Sequence, residues 1–323
     1  MAQYLARRVL WALMLFMAVT LVTYVIFFII PASPARLAAG QTATAERVRE
    51  VEEYLGLNRP VYVQYGMFLK RLVLEQSLGR SFANRQDVNE TIIRAAPVTA
   101  SLVFGGMIMI LVISIPVGIL SALRPRSLLD RAAMVYVLIG ISLPSFWIAL
   151  VLSYLVGFKL GITPIAGYCN AFNPSEASTC GGPVQWAYHM ILPWATLALV
   201  GAGTYVRFVR ADVMETMNQD YVRTARAKGA PEGQVMRSHI LRNAMLPVVT
   251  ILGMDIGLLL GGSIFIETVF GLPGLGLIAI ESITNFDLPV TQGVVVFVAL
   301  AIIVFNLGID LLYAWIDPRI RLT

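Results

Sequence analysis

The sequence contains six long apolar segments, and each could cross a lipid bilayer as a helix. They are residues 9–30, 98–123, 132–158, 191–208, 246–266 and 288–314. About 20 apolar residues in a helix span the hydrocarbon core. The alternating pattern of strands is absent, and lipid excludes open sheets because their backbone groups would lack hydrogen-bond partners. The sequence therefore predicts an all-α, polytopic membrane helix bundle with six transmembrane helices.

The composition agrees with a membrane protein. Of the 323 residues, 58% are hydrophobic and only 13% are charged, whereas about a quarter are charged in a soluble domain. The net charge of +5 is scattered between the apolar segments, which argues against a nucleic-acid-binding face. The first segment follows Arg7 and Arg8 and could be read as a signal peptide, but it is longer than the roughly 7–15 apolar residues typical of one. We expect it to be retained as a helix.

The positions of lysine and arginine predict the orientation, since short cytoplasmic loops are enriched in both. With the N-terminus inside, the two short outer loops hold only Lys159. The inner segments hold fourteen lysines and arginines: Arg7, Arg8, Arg124, Arg126, Arg131, Arg207, Arg210, Arg223, Arg226, Lys228, Arg237, Arg242, Arg319 and Arg321. The long outer segment, residues 31–97, is left out of this comparison because long loops contribute little to orientation. Both termini are therefore predicted to be cytoplasmic.

This orientation divides the chain into three regions. Residues 1–30 form a cytoplasmic tip and the first transmembrane helix, residues 31–97 an extracytoplasmic helical segment, and residues 98–323 a core of five transmembrane helices. In the extracytoplasmic segment, apolar periodicity predicts helices at 46–55 and 61–74. Gly56 is placed to end the first of them.

The core includes a long cytoplasmic loop, residues 211–243, whose local pattern predicts helix, break, helix. Asp220 can cap the first helix. Gly229 can adopt the left-handed conformation that ends it, and Pro231 suits the start of the second. An ordinary inside loop would explain the positive charges but not the Gly–Pro break. We therefore expect a rigid, basic helical hairpin on the cytoplasmic side.

This stretch also carries a family resemblance. Residues 223–229 read Arg-Thr-Ala-Arg-Ala-Lys-Gly, which resembles the EAA loop of permease subunits of bacterial ABC importers, in the form typical of the dipeptide, oligopeptide and nickel branch. Arg223 replaces the usual leading Glu, and the expected proline comes later, at Pro247. The resemblance implies contact with an ATPase subunit through these residues: Arg223, Thr224, Ala225, Arg226, Ala227, Lys228, Gly229, Pro231 and Glu232.

Other segments resemble the first permease subunit of the same branch, and together they cover nearly the whole chain in order. They are residues 55–60, 78–82, 267–276, 310–313 and 317–321. The resemblance implies a type I ABC importer permease fold in the cytoplasmic membrane of a bacterium. It implies a heterodimer with a second permease subunit, two ATP-binding subunits that use ATP-Mg, and an extracytoplasmic substrate-binding protein. Di- or oligopeptides are the expected substrates, with nickel or glutathione as alternatives.

We expect the chain itself to be non-catalytic and to bind no cofactor. A P-loop needs Gly-Lys followed by Ser or Thr, and the only lysines, Lys70, Lys159 and Lys228, precede Arg, Leu and Gly. A membrane enzyme would need a cluster of nucleophile, base or metal ligands. An ion-coupled carrier usually has several intramembrane polar groups or matched half-repeats. The sequence shows no such catalytic cluster, and it has few intramembrane polar groups and no clear half-repeats.

Four further residues are candidates for specific roles. Asp255 and Asp310 fall within predicted membrane spans, where a carboxylate usually faces protein or water. They are pore-lining candidates, and interhelical hydrogen bonding is the alternative. Cys169 and Cys180 share one outer loop, so a disulfide is expected in an oxidising compartment, although two free thiols are also possible. No metal site is expected, since His189 adds only a third ligand.

Overall fold

The computed structural model describes residues 2–29, 34–39, 43–172 and 180–316, and this part of the chain is helical with no β-strand. The all-α prediction is confirmed. The helices are α1 (Ala2–Tyr24), α2 (Pro34–Ala39), α3 (Ala45–Leu55), α4 (Val61–Val73), α5 (Val88–Leu123), α6 (Leu128–Ser142), α7 (Ser145–Leu152), α8 (Pro183–Met217), α9 (Asp220–Ala227), α10 (Glu232–Gln234), α11 (Arg242–Phe270), α12 (Leu275–Thr284) and α13 (Leu288–Ile316). There are also three π-helical stretches. Val25–Ile29 continues α1, Ser153–Lys159 continues α7, and Val235–Leu241 joins α10 to α11.

Among the described residues, five helices are long and apolar enough to cross a membrane, and two bent helix pairs raise the number of spans to as many as seven. The five are Ala6–Ile29, Val88–Leu123, Pro183–Met217, Glu232–Gly257 and Leu288–Ile309. The predicted number of six lies within this range. Several helices extend beyond the apolar segments of the sequence, because a helix can continue into the polar region at either end of a span.

The third predicted span is the main difference between expectation and structure. It consists of two helices, Leu128–Ser142 and Ser145–Lys159, bent by 106°. Between them Leu143 is extended, with φ −99° and ψ 131°. The residue before a proline disfavours the helical backbone conformation, so Pro144 ends α6. The sequence pattern of residues 132–158 stays apolar through the bend and does not show it.

The fifth span also begins differently from the prediction. The predicted span starts at residue 246, but Pro247 lies inside α11, which begins at Arg242. Helical backbone runs from Glu232 through the π-helical stretch into α11. The helix thus begins in the polar loop, directly after Pro231.

The chain divides into two compact units, residues 1–99 with 273–323, and residues 100–272. In the first unit the two helices predicted within residues 31–97 are confirmed as α3 and α4. Gly56 ends α3 in the left-handed conformation, φ 67°. Tyr24 of α1 donates to Oε1 of Gln64 in α4 at 2.9 Å. This hydrogen bond is buried and ties the first transmembrane helix to the following helical segment.

In the second unit, α8 lies against α5, α6 and α11, and glycines allow the close approach. A Cβ on Gly203 would lie 3.1 Å from the Cα of Val137 in α6. A Cβ on Gly105 of α5 would lie 2.1 Å from the indole of Trp194. Small residues at helix contacts are how membrane helices pack tightly without a hydrophobic driving force.

Candidate coupling site

The basic hairpin, which we define as residues 220–234, consists of α9, a tight turn and α10. The amide of Ala230 donates to the carbonyl of Ala225 at 3.2 Å, and that of Gly229 donates to the carbonyl of Arg226 at 2.9 Å. Gly229 has φ 81°. These are the two hydrogen bonds of a Schellman motif with glycine in the left-handed position. The predicted helix end at Gly229 is therefore confirmed.

Pro231 begins the second half of the hairpin. Its backbone is extended, with φ −66° and ψ 141°. Its carbonyl accepts from the amides of Gln234 and Val235 at 2.9 and 3.1 Å. The predicted restart at Pro231 is thus confirmed.

The predicted capping role of Asp220 is wrong. The residue that precedes α9 is Gln219, whose side chain makes no capping hydrogen bond. Asp220 is the first helical residue, and its carboxylate lies 3.9 Å from the guanidinium of Arg223. The helix dipole still favours a negative charge in this first turn. The cap was misplaced by one residue because the chain turns into helix immediately after Gln219.

An ion pair bridges the break in the hairpin. Arg226 donates from Nε to Oε1 of Glu232 at 2.8 Å and from Nη2 to Oε2 at 3.3 Å. Two parallel N–H···O bonds between a guanidinium and a carboxylate fix both distance and orientation. The end of α9 and the start of α10 are therefore joined by side chains as well as by the turn.

One side of the hairpin is buried against the rest of the second unit. Val222 of α9 is fully buried, as are Val235 and Ile240 in the π-helical stretch that directly follows the hairpin. They share one apolar cluster with Val213 of α8 and Ala244 of α11. The hairpin is therefore packed against the helix that enters it and the helix that leaves it.

The other side of the hairpin is exposed and carries charges of both signs, with Arg223 and Lys228 beside Asp220 and Glu232. Of the predicted coupling residues, Ala225 and Arg226 are half-buried and the others are exposed: Arg223, Thr224, Ala227, Lys228, Gly229, Pro231 and Glu232. The sequence-predicted coupling residues are thus brought together in one element of the structure.

A second ion pair was missed from the sequence. Asp130 of α6 accepts from Nε of Arg210 in α8 at 2.7 Å and from Nη2 at 3.1 Å. It also accepts from the amide of Arg126 at 2.8 Å and from the hydroxyl of Ser121. Sequence reasoning counted both arginines only as loop charges. Ser127, three residues before Asp130, is a local signal for the helix start, and its Oγ accepts from the Asp130 amide at 3.2 Å.

Asp255 of α11 is placed by a hydrogen bond from α8. The hydroxyl of Tyr205 donates to Asp255 Oδ2 at 2.7 Å. Tyr205 is buried and Asp255 half-buried. This is the interhelical bond that the sequence left open as the alternative to a pore-lining role.

Comparison with known proteins identifies the family of this chain. The family described as "Binding-protein-dependent transport system inner membrane component" matches residues 114–322. The family of its N-terminal region matches residues 1–103. The chain belongs to this family. The family that the EAA-like loop indicated is therefore confirmed, and the chain is a multi-pass inner membrane component.

Individual relatives match this inner membrane component over almost its full length. The dipeptide transport system permease protein DppB of Escherichia coli (strain K12) is 36% identical, over 99% of both chains. DppB of Alkalihalophilus pseudofirmus is 35% identical, over 99% of this chain and 100% of its own. A solved structure of the inward-facing MetNI methionine ABC transporter matches with a TM-score of 0.56 and 19% identity, over 70% of this chain and 96% of that one. This last likeness supports the type I permease fold.

The remaining site residues of the inner membrane component lie elsewhere. Cys169 and Cys180 form a disulfide with a Cα–Cα distance of 5.5 Å. His189 Nδ1 lies 3.3 Å from the sulfur of Cys169. Among the described residues these three side chains are close enough together to hold a metal ion, but a disulfide offers no thiolate ligands. Asp310 lies within α13, but its side chain is outside the part of the chain that the structure describes. Residues 317–321, which carried part of the family resemblance, are also outside it.

Proposed function

We propose that this chain is the pore-forming subunit of an ATP-driven importer that moves di- or oligopeptides across the cytoplasmic membrane by alternating access. The observation that carries the proposal is full-length similarity to proteins named as dipeptide transport permeases. The basic hairpin adds a mechanism, since it offers an exposed surface to a motor subunit while its other side packs on α8 and α11.

The ATPase activity belongs to separate subunits in this proposal. The chain has no lysine in a P-loop context, and a P-loop is the usual means of holding the phosphates of ATP-Mg. Two ATP-binding subunits, a second permease subunit and an extracytoplasmic substrate-binding protein would complete the importer. The chain contributes half of the membrane pathway and one docking surface.

Force from the ATPases would reach the pore through the hairpin. Val222 and Val235 are fully buried, so displacement of the hairpin must also displace the apolar cluster they share with α8 and α11. The Arg226–Glu232 pair keeps the two arms of the hairpin at a fixed separation. Asp130 and Arg210 extend this connection from α8 to α6. The three helices would thus respond together to closure of the ATPases.

The proposed orientation places both termini and the hairpin in the cytoplasm, and residues 31–97 with the Cys169–Cys180 disulfide outside. Labelling of intact spheroplasts with a membrane-impermeant maleimide tests this. Lys228→Cys should react only after lysis, whereas Arg85→Cys should react in intact spheroplasts. Labelling of Lys228→Cys in intact spheroplasts would exclude contact with a cytoplasmic ATPase.

Uptake measurements test the function itself. A strain that lacks this chain should lose uptake of labelled di- and tripeptides and regain it when the chain is restored. Nickel and glutathione uptake, measured in parallel, serve as the comparison. Loss of nickel or glutathione uptake with unchanged peptide uptake would assign the alternative substrate to the same fold.

A further inference from the structure

The first unit contains a cleft of about 430 Å³ that the proposed transport mechanism does not use. One wall comes from α3, with Arg47, Glu50 and the buried Val51, and the other from the loop that carries Arg80, Ser81, Phe82 and Arg85. Ala39 completes the lining. The volume falls in the range of about 300–1,000 Å³ that is typical of small-molecule sites. The cleft therefore has the size of a ligand site, and its lining holds three arginines and one glutamate.

The loop that forms the second wall is held by a dense set of hydrogen bonds. The amide of Ser81 donates to the carbonyl of Gln86 at 2.9 Å, and the amide of Arg85 donates to the carbonyl of Ser81 at 3.1 Å. Behind the loop, the buried carboxylate of Asp287 accepts from the hydroxyl of Ser81 and, at 3.1 Å, from the amide of Phe82. The two arginines are thus attached to a well-supported backbone.

The charges in the cleft are not balanced. Glu50 is the acidic residue of the lining, and it pairs with Arg47 on the same helix. Within the described part of the chain, neither the Arg80 nor the Arg85 side chain makes an ion pair or a hydrogen bond. Asp287 does not line the cleft, and its oxygens already accept from the loop. Two guanidinium groups are therefore available to a ligand.

A carboxylate matches these groups. A guanidinium is planar and presents two parallel N–H donors, which fit the two oxygens of a carboxylate. The aromatic ring of Phe82 and the aliphatic Val51 line the same cleft and offer an apolar surface to a neighbouring side chain. The combination suits a small molecule with a terminal carboxylate next to an apolar group, and a short peptide has both.

We propose that this cleft binds the free C-terminal carboxylate of a short peptide through Arg80 and Arg85, with Phe82 and Val51 against the neighbouring side chain. The inference rests on the proposed function, because it takes a peptide to be the substrate. It adds a peptide-binding subsite in the segment of residues 31–97, outside the transmembrane pathway.

A binding experiment on the full chain in lipid nanodiscs tests the subsite. The probes are the tripeptide Ala-Phe-Ala as the free acid and the same peptide as the C-terminal amide, with binding followed by saturation-transfer NMR and titration. The free acid should bind at least tenfold more tightly than the amide. A double variant with Arg80→Gln and Arg85→Gln should weaken binding of the acid at least tenfold and leave the weak binding of the amide unchanged.

A matched control comes from the same unit. Arg94 is exposed and pairs with Glu90 on α5, and it does not line the cleft. Arg94→Gln should leave acid binding as in the wild type. Equal affinity for acid and amide, or no effect of the double Gln variant in a folded chain, would overturn the subsite.

Two further outcomes distinguish this subsite from a contact with the substrate-binding protein and from a failure of the proposed function. If neither peptide binds, but the double variant weakens association with the substrate-binding protein, the cleft accepts a partner's carboxylate and the peptide subsite is wrong. If the assembled wild-type importer takes up no peptide, the proposed function fails and the subsite fails with it. Normal peptide uptake with no preference for the acid overturns the subsite alone.

Discussion

Arg226 and Glu232 lie on opposite sides of the Gly229–Pro231 break and are joined by two hydrogen bonds of 2.8 and 3.3 Å. Their side chains are 35% and 69% exposed, so water screens the pair and it contributes only about 0.2–1 kcal/mol to stability. Its value is geometric, since it fixes the separation of two helix ends that a partner subunit would contact.

Reversal of this pair tests that geometric role. Arg226→Glu alone places two carboxylates together and should lower substrate-stimulated ATPase of the assembled importer several-fold, with little change in thermal stability. The double reversal, Arg226→Glu with Glu232→Arg, should restore much of the activity. Reversal of the exposed Glu90–Arg94 pair is the control and should have no effect. No difference between the single and double variants would remove the pair from the coupling mechanism.

Gly229 should tolerate no proline and little alanine. Its φ of 81° costs an L-residue about 1–2 kcal/mol, and proline is locked near −65° and lacks the amide that donates to Arg226. Gly229→Pro should insert normally yet abolish substrate-stimulated ATPase. Gly229→Ala should be intermediate.

The matched control for Gly229 is four residues away. Gly233 lies in α10, and a Cβ there would meet no atom within 4 Å. Gly233→Ala should therefore keep full ATPase stimulation in the same assay. Full stimulation in Gly229→Pro would show that the Schellman turn is not needed to transmit force.

Asp130 is expected to matter for stability more than any exposed acidic residue. Its side chain is 7% exposed and paired with Arg210, and removal of one partner of a buried pair costs about 3–5 kcal/mol. Asp130→Ala should lower the thermal denaturation temperature in detergent by several degrees. Asp220→Asn, at a fully exposed carboxylate, is the control and should lower it much less, because only a weak helix-dipole interaction is lost.

Arg210→Lys separates charge from geometry at the same site. Lysine keeps the positive charge but cannot donate two parallel hydrogen bonds. We expect a loss of stability between those of the wild type and Asp130→Ala. Equal stability of Arg210→Lys and the wild type would mean that charge alone holds α8 to α6.

Local signals in the sequence predicted much of the hairpin and the helices within residues 31–97. Gly56, Gly229 and Pro231 act through their own backbone preferences, so their effect can be read without knowledge of distant residues. Asp220 shows the limit of this reasoning, because a one-residue shift of the helix start changes a cap into a first-turn residue.

Pairings between distant residues could not be predicted in the same way. Asp130 and Arg210 are 80 residues apart, and Tyr205 and Asp255 are 50 apart. Only the packing of α8 against α6 and α11 brings these pairs together. The bend at Pro144 was missed for another reason, since proline in a membrane span is compatible with both a kink and a full break.

Close packing of α5 against α8 predicts a strong effect at Gly105. A Cβ there would lie 2.1 Å from the ring of Trp194, and that ring cannot move freely because its Nε1 donates to the carbonyl of Ser101 at 2.9 Å. Gly105→Ala should lower the denaturation temperature. Gly66→Ala, on α4 with no atom within 4 Å of the new Cβ, should not. Equal stability of the two variants would contradict the packing described here.

The role of Asp255 can be resolved by two substitutions that differ in what they remove. Asp255→Asn keeps an oxygen that accepts from Tyr205 and removes the negative charge, whereas Tyr205→Phe keeps the charge and removes the donor. If Asp255 lines the pore and attracts a peptide amino group, Asp255→Asn should lower peptide uptake with unchanged stability. If Asp255 serves only to join α8 and α11, the Asp255→Asn variant should take up peptide at the normal rate.

Tyr205→Phe supplies the second measurement. Loss of a hydrogen bond to a charged group costs about 1.5–3 kcal/mol, so this variant should be less stable whichever role Asp255 has. We expect lower uptake in Asp255→Asn and lower stability in Tyr205→Phe, because the half-buried Asp255 keeps part of its surface accessible while bonded to Tyr205. Normal uptake in Asp255→Asn would exclude the pore-lining role and leave the interhelical bond as its sole function.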